Sequence, residues 1–242
     1  MSSILHNAET WANAKIDRLE VEYRRMLKAI LGIGVTTCTE FPYIELGVPS
    51  IRTIIKMKQW EFWKKITENN DDTPLKQVIA TADRHGLKEV KHYVNLINAF
   101  RNKQEIKEQF FQKTRESIRK KAEEGRSKYV TYLQINPHLE TPTFYKDILN
   151  YRQVSMIAKL RVSMHNLQVE MGRRSQIARH LRLCQCEESV EDEIHFLTKC
   201  SLYNEIRYSH RVSRNMKICD ILNDKKYIDY IDSLYKHRST IR

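Results

Sequence analysis

Three cysteines and one histidine are clustered near the C-terminal end of this chain. Cys184 and Cys186 are separated by one residue, eight residues lead from there to His195, and four more lead to Cys200. Three thiolates and an imidazole in so short a segment form the ligand set of a tetrahedral zinc site. Because four protein ligands leave no open position for water or substrate, we predict one structural Zn²⁺ rather than a catalytic ion.

The same four residues have an alternative interpretation as buried or redox-active thiols beside a core histidine, since free cysteine packs like a small hydrophobe. The spacing favours metal binding, because a close cysteine pair followed by a separated histidine and cysteine is the general pattern of a zinc knuckle. The distribution agrees with this, since four of the five cysteines fall between Cys184 and Cys219.

The residues between the two ligand pairs predict how the site is built. Ser189 followed by acidic residues has the pattern of a capping box, which predicts a helix that begins near Val190 and carries His195. We interpret the acidic residues at 187–193 as solvated charges of the helix N terminus and not as metal ligands.

The spacing of the last two ligands predicts an irregular helix. Cys200 lies five residues after His195, which is about 140° around an ideal helix. Side chains so far apart cannot converge on one ion. We therefore expect the helix to bend or end near Thr198 and a second helix to begin near Leu202.

The charge of the chain indicates its kind of partner. The formal net charge is +12, from 42 Lys and Arg residues against 30 Asp and Glu residues. Such a balance favours a polyanion, of which nucleic acid is the commonest, although many basic proteins carry only solvated lysines. No apolar run approaches the roughly 20 residues of a membrane span, and no signal peptide begins the sequence. We expect an intracellular protein, nuclear or cytoplasmic, without a membrane partner and without disulfides.

The composition predicts an all-α fold, since only six glycines and five prolines occur and apolar residues recur at helical spacing. We predict helices over 7–31, 42–46, 50–66, 74–86, 87–100 and 104–122, a further helix from 141–143 toward Met164, and a short strand at 166–170. The predicted regions are a helical region at 1–72, a helical connecting region at 73–140, a basic helix with the knuckle at 141–217 and a C-terminal helical tail at 218–242. Hinges are expected at 69–72, where Thr73 would then cap the next helix, and at 136–143.

Basic residues are concentrated just before the knuckle, where Glu170 is the only acidic residue between positions 159 and 182. We predict that they contact phosphates of a nucleic acid, because Arg and Lys supply the donors that a phosphate backbone accepts. These residues are Lys159, Arg161, His165, Arg173, Arg174, Arg179 and Arg182. An alternative is that Arg161 and Arg173 form internal ion pairs with Glu170 and the acidic residues of the knuckle.

Two other groups of residues are interpreted as structural. A second basic run at 113–128 has interleaved glutamates, which is typical of the solvated face of a helix. Trp11, Trp60 and Trp63 lie at apolar helical positions, so we predict that they are core residues rather than platforms for stacked bases.

The sequence carries no signature of catalysis. It has no phosphate-binding glycine loop, no Gly-x-Ser-x-Gly elbow and no HExxH zinc helix. Asp71 and Asp72 are adjacent, but they lie in a polar turn and not in the apolar hairpin that presents metal-binding aspartates in a polymerase. We therefore predict no catalytic residues and no enzymatic activity for this chain alone.

Two phrases of the sequence resemble a known family. Residues 160–173 read LRVSMHNLQVEMGR, and the knuckle that follows includes VEDEIHFLTKC at 190–200. These phrases are similar to the C-terminal region of non-LTR (LINE-type) retrotransposon reverse transcriptases, in which "LRxSxHxLxxExGR" precedes a Cys-Cys-His-Cys knuckle. The earlier stretches 27–32, 45–49 and 60–63 resemble the segment that follows the polymerase palm in this family. The resemblance covers most of the chain between Trp11 and Tyr203.

The chain departs from the family pattern at two points, with one residue instead of two between the first cysteines and Ser201 where the family commonly has proline. The palm with its catalytic aspartates and the endonuclease are not in this chain. The resemblance implies thumb-like and linker helices, then a knuckle, that help to hold template RNA and target DNA during target-primed reverse transcription. It also implies the polymerase core of a parent reverse transcriptase as a partner.

Two rival hypotheses belong to other functional classes. A zinc-stabilised helical adaptor would bind another protein, and its binding would depend little on salt. A nuclease or polymerase fragment would need a cluster of carboxylates that binds magnesium, and the sequence contains no obvious cluster of this kind.

Overall fold

A computed structural model describes residues 5–11, 15–68, 74–147 and 150–241 of the chain. The fold is all-α, as predicted, and no extended strand occurs within these ranges. The α-helices are α1 Asp17–Ile30, α2 Phe41–Leu46, α3 Ile51–Glu68, α4 Pro74–Arg84, α5 Lys88–Ala99, α6 Lys103–Glu123, α7 Ser127–Ile135, α8 Tyr151–Arg161, α9 Gln168–Arg174, α10 Asn204–Ser209, α11 Ile218–Leu222 and α12 Ile228–Thr240. None of the helices in the described ranges is both long enough and apolar enough to cross a bilayer.

The chain divides into two compact units. The first unit comprises Met1–Arg25 and Val48–Glu116, and the second comprises Met26–Gly47 and Ser117–Arg242. The candidate metal ligands all belong to the second unit. The division into four regions at 72, 140 and 217 stays a prediction. The hinge expected at 69–72 and the cap expected at Thr73 lie outside the described residues.

The first unit has a core of aromatic residues on α3 and α5. Trp60 and Trp63 are buried, and the Trp63 ring stacks on Tyr93 with ring centroids 4.5 Å apart. The Trp60 indole donates a hydrogen bond to the Phe100 carbonyl at 3.0 Å. The prediction that these two tryptophans are core residues is confirmed, and Trp11 is half-buried.

The helix predicted near the N terminus is shorter than expected. A 3₁₀ turn at Ala8–Thr10 precedes α1, which begins only at Asp17. Two tertiary hydrogen bonds hold this segment against the rest of the first unit, since the Tyr93 hydroxyl donates to the Glu9 carbonyl and the Gln59 amide donates to the Trp11 carbonyl. The backbone before α1 therefore has partners distant in sequence, which the helical spacing of its apolar residues does not reveal.

The second unit is built around a core to which α8, α11 and α12 contribute. Leu160 of α8, Tyr230 and Leu234 of α12, and Phe196 beside the candidate metal ligands are all fully buried. Cys184 and Cys200 belong to this same hydrophobic cluster. The candidate metal site is therefore part of the core of the second unit and not an appendage on its surface.

Two helices of the second unit differ from the sequence prediction. The helix expected from 141–143 begins only at Tyr151, where the Asn150 side chain accepts a hydrogen bond from the Arg152 N–H at 2.9 Å. The expected hinge at 136–143 is a loop in which the Asn136 side chain bonds the backbone of Glu140. Helix α7, which precedes this loop, was not predicted.

The strand predicted at 166–170 is wrong, because this segment leads into α9. The N–H groups of Gln168 and Val169 donate to the Glu191 carboxylate at 2.8 Å and to the Glu191 carbonyl at 3.0 Å. The first turn of a helix has N–H groups without intrahelical partners, and Glu191 satisfies two of them. A partner distant in sequence therefore decides the conformation of this segment.

Candidate metal centre

The side chains of Cys184, Cys186, His195 and Cys200 converge on one point. Their ligand atoms all lie within 4.8 Å of one another, with 3.6 Å between the Sγ atoms of Cys184 and Cys200 and 3.2 Å from Cys186 Sγ to His195 Nε2. A tetrahedral zinc ion would place such sulfur pairs about 3.8 Å apart and sulfur–nitrogen pairs about 3.6 Å apart. The four predicted ligands are thus close enough to hold one metal ion.

A tight hairpin brings the first two cysteines together. Leu183 and Val190 form an antiparallel bridge, and inside it the Cys184 N–H donates to the Ser189 carbonyl at 2.9 Å. The Glu187 N–H donates to the Cys184 carbonyl, and Glu187 has a left-handed φ of 63°. This turn folds Cys186 back beside Cys184, so a single intervening residue is enough.

A π-helical turn brings the last two ligands together. The turn spans His195–Lys199, and the Cys200 N–H donates to the His195 carbonyl at 2.8 Å. In a π turn the hydrogen bond joins residues five apart instead of four, so residues with this spacing come to lie above one another. The expected departure from an ideal helix is confirmed. On an ideal helix His195 and Cys200 would lie about 140° apart, and the wider π turn brings them to the same side.

The start of this helix differs from the prediction. Helical structure begins at Glu193, and Asp192 is its cap, because the Asp192 carboxylate accepts from the His195 N–H at 2.9 Å. The predicted cap, Ser189, is part of the hairpin instead. The second helix restarts close to the expected place, as a 3₁₀ turn at Ser201–Tyr203 that continues into α10.

The site is mostly shielded from water. Cys184, His195 and Cys200 are buried and Cys186 is half-buried. The hydrogen bond from Cys200 lowers the pKa of the Cys184 thiol, and the same bond together with burial raises the pKa of the Cys200 thiol. One thiolate therefore forms readily in this pair, and the thiolate is the form of cysteine that binds metals. Cys184 and Cys200 do not form a disulfide, because their sulfurs are 3.6 Å apart and a disulfide bond is about 2.05 Å long.

Arg207 positions the backbone of Cys200, the last candidate ligand, and no sequence pattern predicts this role. Its guanidinium donates to the Cys200 carbonyl and, at 2.6 Å, to the Asn204 side chain. The Tyr230 hydroxyl donates to the Leu197 carbonyl within the π turn. A π turn leaves some backbone carbonyls without a regular helical partner. Tyr230 supplies a donor to one carbonyl within the turn, and Arg207 supplies a donor to the carbonyl that directly follows it.

Two acidic residues of the knuckle are buried, which corrects their interpretation as solvated charges. Glu191 forms a two-bond ion pair with Arg238 at 2.7 and 2.8 Å, and Glu193 accepts from His165 at 2.9 Å and from Ser163 at 2.8 Å. Neither carboxylate belongs to the group of four residues that could hold a metal ion. Their partners lie 47 and 28 residues away in sequence, so local patterns could not reveal them.

Arg161 and His165 do not lie where phosphate contacts require. The Arg161 side chain is 0% exposed and donates two hydrogen bonds to Glu45, at 2.7 and 2.9 Å. The His165 ring is equally buried against Glu193. A side chain without exposed surface cannot reach a phosphate, so these two residues are corrected from nucleic-acid contacts to core residues. The predicted internal ion pair of Arg161 exists, but its partner is Glu45.

Arg173, Arg179 and Arg182 have internal partners of different kinds. Arg173 pairs with Glu170 at 2.6 Å, as the alternative interpretation expected. The Arg182 guanidinium donates to the backbone carbonyls of Ile177 and Val169, so its donors are already used within the protein. Arg179 pairs with Asp192 at 2.9 Å, but its side chain is 62% exposed, so it remains accessible to a ligand.

Lys159 and Arg174 lie together on the rim of one open cleft, which we call the basic cleft. The side chains that characterise it are Tyr151, Arg152, Lys159, Arg174, Tyr235 and Lys236. Lys159 is half-buried and Arg174 is exposed. Three of the seven predicted contact residues therefore line this cleft, but the His165 ring is buried, so Lys159 and Arg174 are the two that a ligand could reach.

The second basic run, at 113–128, largely fits its interpretation as a solvated face. Arg119 and Lys120 are exposed on α6, while Lys121 pairs with Glu40. Lys128 is an exception, because it pairs with the buried Glu170 at 3.2 Å. The adjacent aspartates Asp71 and Asp72 lie outside the described residues.

No protein-family model, curated protein or solved structure matches this chain.

Proposed function

We propose that this chain is a zinc-stabilised nucleic-acid-binding region of a LINE-type reverse transcriptase. In this proposal it has no catalytic site of its own and holds template RNA and target DNA beside the polymerase core of a parent enzyme during target-primed reverse transcription. The observation that carries the proposal is the convergence of three thiols and one imidazole within 4.8 Å, directly after a segment rich in arginine.

The donor set supports zinc as the metal. Three sulfurs and one imidazole nitrogen are soft to borderline ligands, which suit Zn²⁺ and do not suit magnesium or calcium. With Cys184, Cys186, His195 and Cys200 all bound, the coordination shell is closed. The ion would then fix the hairpin to the π turn and would not activate water.

The surface charge supports nucleic acid as the partner. Arg161 and His165 are buried, Arg182 is bonded to the backbone, and Arg173 is half-buried and paired with the buried Glu170. Lys159, Arg174 and Arg179 remain as accessible cations next to the knuckle. The chain as a whole has a net charge of +12. Such side chains make phosphate contacts that are sequence-independent and sensitive to salt.

The metal is tested by elemental analysis of the purified chain and its variants. We expect one zinc per chain in the wild type, its loss in His195→Ala, and its retention in Cys219→Ser. Cys219 is a matched control, because it is a free, half-buried cysteine of the same unit outside the group of four. A zinc-free wild type, or equal retention in His195→Ala, would show that the four residues are ordinary core thiols and a core histidine.

The partner is tested by binding to structured RNA and to duplex DNA over a range of salt concentrations. We expect affinity to fall steeply with salt, because each phosphate contact releases bound counterions. If the zinc-loaded chain binds neither polymer at low salt, the adaptor hypothesis replaces this proposal. In that case the partner is another protein, and the net charge is incidental.

A further inference from the structure

The basic cleft lies between α8 and α12 in the second unit and has a volume of about 640 Å³. This volume is within the range of roughly 300–1,000 Å³ that is typical of ligand sites. No acidic side chain is among the described residues that line it. A concave surface with cations and without carboxylates concentrates a positive potential, which selects for an anionic ligand.

The cations of the basic cleft fall into two pairs. Arg152 and Lys236 share one partner, Asp232, at 3.4 and 2.7 Å. Lys159 and Arg174 have no side-chain hydrogen bond or ion pair within the described part of the chain. The shared carboxylate offsets only one of the first two charges, so the cleft keeps an excess of positive charge. Lys159 and Arg174 are therefore the two cationic side chains of the cleft whose donors are free to bind a ligand.

An exposed tyrosine adds an aromatic surface to these charges. Tyr151 is 60% exposed, and its hydroxyl donates to the Ala29 carbonyl at 2.9 Å. This bond uses the polar end of the side chain and holds the ring at the edge of the cleft. Met156 and Met164 line the interior and add apolar surface. A fixed, solvent-accessible ring beside unpaired cations is the combination on which unpaired bases stack.

We propose that the basic cleft binds a short single-stranded segment of nucleic acid. Lys159 and Arg174 contact its phosphates, and Tyr151 stacks on one of its bases. A duplex presents its phosphates but keeps its base faces stacked inside, so it cannot use the tyrosine ring. This inference rests on the proposed function, since it assumes that the chain binds nucleic acid. It adds the place of binding, the basic cleft, and the form of nucleic acid that binds there, a single strand.

The test compares two double variants that each remove one Lys and one Arg. Lys159→Gln/Arg174→Gln changes the basic cleft, and Arg119→Gln/Lys120→Gln removes the same charge from an exposed face of α6. Binding of labelled oligo(dT), oligo(U) and a short DNA duplex is measured by fluorescence anisotropy. Two lost contacts should lower the salt slope for single strands by about 1.4, which corresponds to about 25-fold weaker binding at about 0.1 M salt. We expect the α6 variant to stay within about threefold of the wild type.

The stacking role is tested at Tyr151 with a variant that keeps the ring. Tyr151→Leu should weaken single-strand binding about fivefold or more, as the loss of one stacked base does. Tyr151→Phe keeps the ring and loses only the hydroxyl bond that fixes it, so it should weaken single-strand binding clearly less than Tyr151→Leu does. Neither change should alter duplex binding. Zinc content and melting temperature establish that each variant is folded, and Lys159→Arg/Arg174→Lys should keep the affinity of the wild type.

Several results would overturn the inference. Equal losses in the two double variants would show that only net charge matters, and equal binding by Tyr151→Leu and Tyr151→Phe would show that the ring does not stack. Poly-glutamate that competes as well as oligo(dT) would identify the cleft as a site for acidic peptides. If the wild type binds RNA or DNA and the cleft variants bind equally well, only this inference fails. If the wild type binds neither polymer, the proposed function fails with it.

Discussion

At the scale of single residues, the ion pair between Arg161 and Glu45 has a high desolvation cost, because neither side chain has exposed surface. The pair is fully hydrogen-bonded, since the hydroxyls of Tyr132 and Tyr145 each donate to the Glu45 carboxylate at 2.7 Å. Removal of two charges from water is costly, and only such complete pairing offsets the cost. The pair therefore makes the core of the second unit sensitive to any change in either partner.

We predict that Glu45→Gln lowers the free energy of unfolding by about 3–5 kcal/mol, because it leaves the Arg161 charge buried without a counter-ion. The matched control is Asp147→Asn, which breaks the exposed pair with Lys225 and should cost less than about 1 kcal/mol. Urea unfolding monitored by circular dichroism measures both. Similar costs for the two variants would contradict this account of the buried pair.

Glu40 gives the second unit a dependence on pH. Burial by itself raises the pKa of this carboxyl, but hydrogen bonds from Lys121 and Tyr129 outweigh it and lower the pKa below its ordinary value of 4.5. A carboxyl with a lowered native pKa binds its proton more readily in the unfolded state. Its contribution to stability is therefore complete above about pH 4.5 and is lost as the pH falls through the native pKa.

We predict that Glu40→Gln is less stable than the wild type at neutral pH, and that the difference between the two proteins shrinks as the pH falls below about 4.5. Other carboxylates titrate in both proteins, so the difference between them isolates Glu40. Urea unfolding at several pH values gives this difference. A constant difference across the acidic range would show that Glu40 has no lowered native pKa.

At the scale of secondary-structure elements, the candidate metal centre depends on two irregular pieces of backbone. One is the hairpin closed by Leu183 and Val190, and the other is the π turn His195–Lys199. An uninterrupted α-helix from Glu193 would separate the last two ligands. The cap at Asp192 fixes where the helix begins, and thus which side of it His195 occupies.

We predict that Asp192→Ala destabilises the metal-loaded chain by about 1 kcal/mol and weakens zinc binding, because the His195 N–H loses its acceptor. Asp192→Asn should cost less, since the amide oxygen can still cap the helix and only the ion pair with Arg179 is lost. Thermal unfolding and zinc competition with a chromogenic chelator measure the two effects. Equal losses in both variants would assign the effect to the ion pair and not to the cap.

At the scale of the whole molecule, the candidate metal ligands belong to one unit and the tryptophans to the other. Cys184 and Cys200 are part of the second unit's hydrophobic core. Trp11, Trp60 and Trp63 are all the tryptophans of the chain, and they lie in the first unit. Tryptophan fluorescence therefore reports on the first unit alone, whereas circular dichroism reports on helices of both.

We predict that chelation of the metal lowers the melting temperature seen by circular dichroism and leaves the tryptophan fluorescence transition nearly unchanged. The reason is that bound metal stabilises only the structure that contains its ligands. His195→Ala should behave like the chelated wild type, and chelator should have no further effect on it. Equal shifts of both signals would show that the two units unfold together.

Much of the fold and of the candidate site follows from local sequence. Residue type and spacing alone predict that Cys184, Cys186, His195 and Cys200 come together, and the structure places their ligand atoms close enough to hold one metal ion. Most helices are also predicted, since glycine and proline mark their ends. Gly47, for example, ends α2 in a left-handed conformation with φ 63°. The strand at 166–170 is mispredicted because Glu191, more than twenty residues later, supplies the bonds that begin α9.

Residue identity and short-range spacing are sufficient to predict the candidate metal-binding residues, the all-α class and the excess of positive charge. They are not sufficient to predict which cations are buried and which are accessible, because that depends on contacts between residues distant in sequence. Arg161 and Lys159 are two residues apart on α8, yet one is buried against Glu45 and the other lines the basic cleft. A buried arginine needs a carboxylate partner to offset the loss of hydration. The partner of Arg161 is Glu45, which is distant in sequence, so the pair depends on the fold of the whole unit.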